Sequence, residues 1–175
     1  NIDVSGFDTS KVTKMNHLFG GCAKLISVDV SNFKTEKVTD MQSMFTSCGS
    51  LESINVSSFN TENVTNMQQM FYACGKLKKL DLSSFKTPKV TNICNMFNMC
   101  YNLAVLDMSN LDTSKVTNMN WTFSNLRSLN ELTIGENFGF VGTAYGLTGI
   151  WKNSDGEEFD AMAMPNNVAD TYTKQ

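Results

Sequence analysis

Valine recurs along the chain at Val12, Val38, Val64, Val90 and Val116, and each step is 26 residues. The same step carries Phe7, Phe33, Phe59 and Phe85 into Leu111, and Met15, Met41 and Met67 through Ile93 into Met119. Two further columns, Phe19 to Phe123 and Leu25 to Leu129, keep the step without a gap. A fixed period of this size marks stacked repeats, because units so short cannot bury their apolar faces alone. Within each unit two local periods alternate. Leu25, Val28, Val30 and Phe33 predict a strand of about four residues, with Val28 and Val30 on one face and Ser27, Asp29 and Ser31 on the other. Val38, Met41, Met44, Phe45 and Cys48 then follow at steps of three and four, which predicts one face of a short helix. Thr39 suits the N-cap of that helix, with Gln42 completing a capping box, and Thr13, Thr65, Thr91 and Thr117 share its column. Strand beside strand and helix beside helix, the units are expected to form an α/β solenoid, with Met44-Phe45, Met70-Phe71 and Met96-Phe97 filling the space between.

The period breaks after about residue 134, which divides the chain into five 26-residue units over 1–134 and a C-terminal cap over 135–175. In the cap, Ile150-Trp151-Lys152, the Asp155-Gly156 pair and Glu157 to Phe159 predict a hairpin, and Thr171-Tyr172-Thr173 a further short strand. Composition then becomes intelligible. The 12 Phe and 11 Met look excessive for a chain that is 41% hydrophobic, yet nine of the Phe lie in two repeat columns. A net charge of −3, with 14 Lys+Arg against 17 Asp+Glu, lacks the basic excess that drives nucleic-acid binding. No run of about 18 apolar residues is present, so no membrane insertion is expected of this segment. Because the first residues already enter the pattern, the chain reads as a piece of a longer protein.

The unit, for example residues 30–49 with the spacing S-x-F-x-T-x-x-V-T-x-M-x-x-M-F-x-x-C, resembles the leucine-rich repeat of BspA-like bacterial surface proteins. The resemblance covers about residues 1–134, and Ile93, Thr122 and Leu126 are its departures. It implies a leucine-rich-repeat-like right-handed superhelix displayed on the bacterial cell surface. It also implies adhesion to a host or cell-surface protein or glycan, or else a spacer role within a larger wall-anchored protein. It supplies no ligand residues.

Candidate chemistry is sparse. The single His17 rules out any mechanism needing two imidazoles, and no nucleophile–base pair, phosphate loop or metal set appears, so no enzyme activity and no cofactor are expected. Cys22, Cys48, Cys74 and Cys100 share one column, where buried thiols, disulfides between neighbours and a metal site are the alternatives. Leu126 in the same column favours burial. Cys94 falls in a polar column and is expected to be partly exposed. The column Asp3, Asp29, Asn55, Asp81, Asp107 admits two readings: hydrogen bonding to the neighbouring Ser column, or an acidic stripe facing a partner. Recognition should show in columns that vary, where Tyr72, Tyr101 and Trp121, with His17 and Met99, stand where other units carry small or polar residues. Asp29, Asp81, Asp107, Tyr72, Tyr101 and Trp121 are therefore the candidate ligand-binding residues. Asp155, Glu157, Glu158 and Asp160 lack the alternating spacing of a calcium loop. A further Thr column, Thr9 to Thr113, completes the inventory.

Overall fold

The computed structural model of the chain describes residues 2–175. Parallel bridges join Lys14 to Asp40, Asp40 to Asn66, Asn66 to Asn92 and Asn92 to Asn118. Equivalent residues of successive units thus lie side by side, and each apolar column becomes a seam. Phe19, Phe45, Phe71, Phe97 and Phe123 stack ring over ring, with centroids 5.3, 5.6, 6.2 and 6.1 Å apart. Phe33, Phe59 and Phe85 form a second seam at 6.5 Å. Around them Val38, Met41, Met44 and Leu51 and their equivalents are enclosed in one continuous core. Each such side chain contributes about 1.5–3 kcal/mol on burial.

The expected helices do not form. Among the described residues the only helical element is a three-residue 3-10 turn, Ala161–Ala163. Residues 42–47 are a run of turns instead. The N–H groups of Met44, Thr46 and Cys48 reach back three residues to Met41, Ser43 and Phe45, at 3.3, 3.1 and 3.2 Å. Those of Met41, Ser43, Phe45 and Ser47 point along the stack, to the carbonyls of Asn66, Gln68, Met70 and Tyr72 at 3.0, 2.8, 2.9 and 2.7 Å. An α-helix would use these donors on carbonyls four residues back and leave none to tie one unit to the next. The arrangement sets Ser43 and Ser47 at φ 56° and 58°, in the left-handed region.

The strands are fewer than one per unit. Three parallel strands, β1 (Lys79–Asp81), β2 (Val105–Met108) and β3 (Glu131–Ile134), pair in the 26-residue register, for example Leu80 with Leu106 and Leu106 with Leu132. Three antiparallel strands follow, β4 (Ile150–Lys152), β5 (Glu158–Asp160) and β6 (Asp170–Lys174). β6 inserts between β3 and β4, giving one open, mixed sheet in the order β1-β2-β3-β6-β4-β5. In the first units Val30 and Val56 are buried as the alternation requires, but their backbone forms no strand. The expected α/β solenoid, a leucine-rich-repeat-like right-handed superhelix of strands and helices, is therefore not the architecture. Turns stitched along the stack replace the helices, and the strands gather in a mixed sheet at the C-terminal side.

Two glycines permit close approaches there. Gly135 takes the place of the Ser5 to Ser109 column, and a Cβ on it would run into the Ser109 carbonyl. Gly146, at φ 84°, lies against Ser124 in the same way.

Candidate binding face

Side-chain hydrogen bonds fix the corners of each unit. Asp3, Asp29, Asn55, Asp81 and Asp107 accept from the N–H two residues on, at Ser5, Ser31, Ser57, Ser83 and Ser109, at 2.9 to 3.0 Å. The carboxylates of the acidic column are thus turned onto their own backbone. Hydrogen bonds from Ser31 and Ser83 hold the carboxyls of Asp29 and Asp81 below the ordinary value of 3.8. A second such corner lies at Asp40, Asn66, Asn92 and Asn118, whose side chains accept from Gln42, Gln68, Cys94 and Asn120. These residues do the work expected of Thr39 and its column. Lacking a helix to cap, Thr39, Thr65, Thr91 and Thr117 donate to the carbonyls of Thr13, Thr39, Thr65 and Thr91 in the preceding unit, at 3.1–3.2 Å.

The other Thr column is buried and makes a closer link. The Thr61 hydroxyl donates to the Lys86 carbonyl at 2.7 Å and accepts from the Lys86 N–H at 2.9 Å. Thr35 does the same with Asn60 at 3.0 and 2.7 Å, and Thr87 with Asp112 at 2.9 and 2.8 Å.

All five cysteines are free thiols. Cys48, Cys74 and Cys100 are buried and donate to the carbonyls of Phe19, Phe45 and Phe71 at 3.0–3.1 Å. Burial pushes the Cys48 thiol up to about 12. Cys22, at the open end of the seam, is half-buried. Cys94 is buried, contrary to expectation, although Gln42 and Gln68 of its column are half-buried and Asn16 and Asn120 exposed: its side chain is shorter than these amides, and Asn95 Nδ2 sits 3.2 Å from its sulfur. Among the described residues no three His, Cys, Asp or Glu side chains group as a metal site would need. Asp160 is used by the Met162 N–H, Glu157 by Asn153, and Glu158 by Lys152 at 3.2 Å.

Tyr72, Tyr101 and Trp121 lie on or beside the turn run of units three to five. Trp121 is 53% exposed, while Tyr72 and Tyr101 are half-buried. Tyr101 rests over Gly75 of the preceding unit, and Arg127 of the following unit lies over its ring at 4.7 Å. Two features escaped the reading of the sequence. His17, Ser43, Gln69, Asn95 and Trp121 all sit at φ 56–58°, and so do Ser47 and Ala73, with Met99 and Asn125 at 65° and 61°. Part of the variation in these columns therefore answers to the backbone, and the available signal was that neither column contains Val, Ile or Thr. The second is a pair of cations, Arg127 and Lys174, at one cleft.

Chemically, the face offers aromatic surface, amides and hydroxyls on a rigid frame. No helix among the described residues is long and apolar enough to cross a membrane. The family model described as Mycoplasma protein of unknown function, DUF285, matches residues 1–104 and again 74–141. No curated protein and no solved structure matches the chain.

Proposed function

The chain belongs to the family of Mycoplasma proteins of unknown function, DUF285, and on that premise we propose that it is a non-catalytic interaction module of a bacterial surface protein. It binds a host or cell-surface protein or glycan through the turn face of units three to five. The observation that carries the reading is Trp121, an indole left 53% exposed on the turn run of unit five, with the half-buried Tyr72 and Tyr101 on or beside the turn runs of units three and four, in columns that change from unit to unit. Aromatic side chains so placed supply contact area at low entropic cost. The resemblance of the unit to BspA-like surface repeats supports the location. A non-catalytic role is supported by a lone imidazole at the first unit and by inner thiols held protonated by burial.

Retention assays on immobilised matrix proteins, mucin and a glycan array test it, with Trp121→Ala, Tyr72→Ala and Tyr101→Ala alongside the parent chain. A retained partner, weakened at least about tenfold by Trp121→Ala, is the expected result. Retention of none, or retention indifferent to all three changes, overturns it and leaves the array as a spacer.

A further inference from the structure

The hydrogen bonds along the stack are continuous rows. Gly21 N–H meets the Thr46 carbonyl, the same peptide group's N–H at Ser47 meets Tyr72, Ala73 meets Asn98, and Met99 meets Ser124, at 2.8, 2.7, 2.8 and 3.2 Å. Parallel rows run through Phe19, Phe45, Phe71, Phe97 and Phe123, and through His17, Ser43, Gln69, Asn95 and Trp121. Peptide dipoles aligned in this way place partial positive charge at the end where N–H groups emerge, as at a helix N-terminus. Two of the rows end on the closing segment: Trp121 donates to Ala144 at 2.7 Å and Phe123 to Tyr145 at 2.8 Å. The row through Ser124 has its next donor at Asn125, which lines a cleft of about 270 Å³ between the last unit and the closing segment.

That cleft also holds Arg127 and Lys174. The ion pairs among the described residues are Lys86 with Glu62 and Lys152 with Glu158, so neither cation has a carboxylate partner. The Arg127 guanidinium lies over the Tyr101 ring at 4.7 Å and the Lys174 ammonium 5.9 Å from the Trp151 ring, contacts that position the two charges while a guanidinium stacked by its face keeps its edge N–H donors for an anion. Leu126 and Leu147 add apolar wall, and Thr148 adds a hydroxyl.

We infer that this cleft binds an acidic monosaccharide unit, its carboxylate held by Arg127, Lys174 and the Asn125 N–H. The two cations and the row end call for an anion. The volume accommodates one six-membered ring with its carboxylate and is too small for an extended peptide. The mixed walls suit a ring with apolar C–H faces and polar edges. The site adjoins the turn face through the contact of Arg127 with Tyr101, but it makes no use of Trp121, and its test reads Asn125, Arg127 and Lys174 alone.

The test is an amide-detected NMR titration of the whole chain with glucuronic acid and with N-acetylneuraminic acid, using glucose and acetate as controls. One or both acids should shift the Asn125 amide, with a Kd on the order of 1 mM, and bind at least about tenfold tighter than glucose or acetate. Arg127→Gln, at an exposed side chain, and Lys174→Gln, at a half-buried one, should each weaken that binding about tenfold or more, the melting transition of each variant being measured alongside to show that it is folded. The inference is overturned if neither acid moves the Asn125 amide. It is equally overturned if acetate binds as tightly as the sugars, or if both variants bind like the parent.

Discussion

A buried threonine hydroxyl that donates to the carbonyl of one residue and accepts from the N–H of that same residue replaces two bonds that water would otherwise make. Thr61 does this for Lys86 of the next unit. Thr61→Val keeps the shape and strands both the Lys86 N–H and its carbonyl, so it should cost about 1–3 kcal/mol, while Thr61→Ser should recover most of the loss. Denaturant midpoints of the two variants decide it, and a Val variant as stable as the parent would refute the link. The left-handed positions make a second prediction at this scale. Ala73, at φ 57°, carries a side chain where an L-residue costs about 1–2 kcal/mol. Ala73→Gly should hold or raise the melting midpoint, and Ala73→Val should lower it by an amount equal to about 1 kcal/mol or more; the reverse order would contradict the backbone assignment. Much of the burial was legible in the sequence, since Phe33, Met41 and Cys48 sit where their columns place them, whereas Phe7 of the Phe33 column is exposed and Cys94 of a polar column is buried. That Thr39 has no helix to cap was not, because the same hydroxyl serves an N-cap or a carbonyl 26 residues back equally well.

At the scale of the element, the M-x-x-M-F-x-x-C spacing is shared by two structures. A helix and a run of turns both bring every third or fourth residue to one side, so Met41, Met44, Phe45 and Cys48 could not distinguish them. The decision lies with the backbone donors. In a helix they are spent locally; here Ser43, Phe45 and Ser47 give theirs to the next unit, and each turn gains a neighbour it would otherwise lack. The strands show the converse: the alternation at Val28 and Val30 is real, but regular pairing appears only towards β6, which covers the edge of β3. The cysteine seam belongs to this scale too. Burial raises Cys48 to about 12 and Cys74 is pushed upward by Cys100 and by burial, whereas Cys22 is partly open. A thiol reagent at about pH 8 should therefore label Cys22 well before Cys48 or Cys74, and all five thiols once the chain is denatured. Fewer than five after denaturation, or Cys48 reacting as fast as Cys22, would contradict the seam.

Across the whole molecule, the same contacts repeat along one axis, so small terms accumulate. Asp3, Asp8, Asp29 and Asp81 each lie below their ordinary value of 3.8 because serine groups two residues on hydrogen-bond to the charged form. A carboxyl depressed on folding lends stability above its unfolded value and loses it as the pH falls through its folded one. The melting midpoint should accordingly fall once the pH drops below about 4, and Asp29→Asn, which keeps the acceptor as Asn55 does naturally, should lose its share of that fall. A midpoint level down to about pH 2 would remove these corners from the account. The 26-residue stack was visible in the sequence from the columns alone. The order of the sheet was not, because β4, β5 and β6 lie outside the period and nothing in Thr171-Tyr172-Thr173 says that it enters between β3 and β4.

The central claim is that peptide groups of each turn run are bonded along the stack and not within a helix. Through-hydrogen-bond scalar couplings measured by NMR read this directly at Phe45. The amide of Phe45 should correlate with the carbonyl carbon of Met70, whose oxygen lies 2.9 Å from the Phe45 nitrogen across the unit boundary. A correlation to the carbonyl of Met41, four residues back, would contradict it and restore the helix.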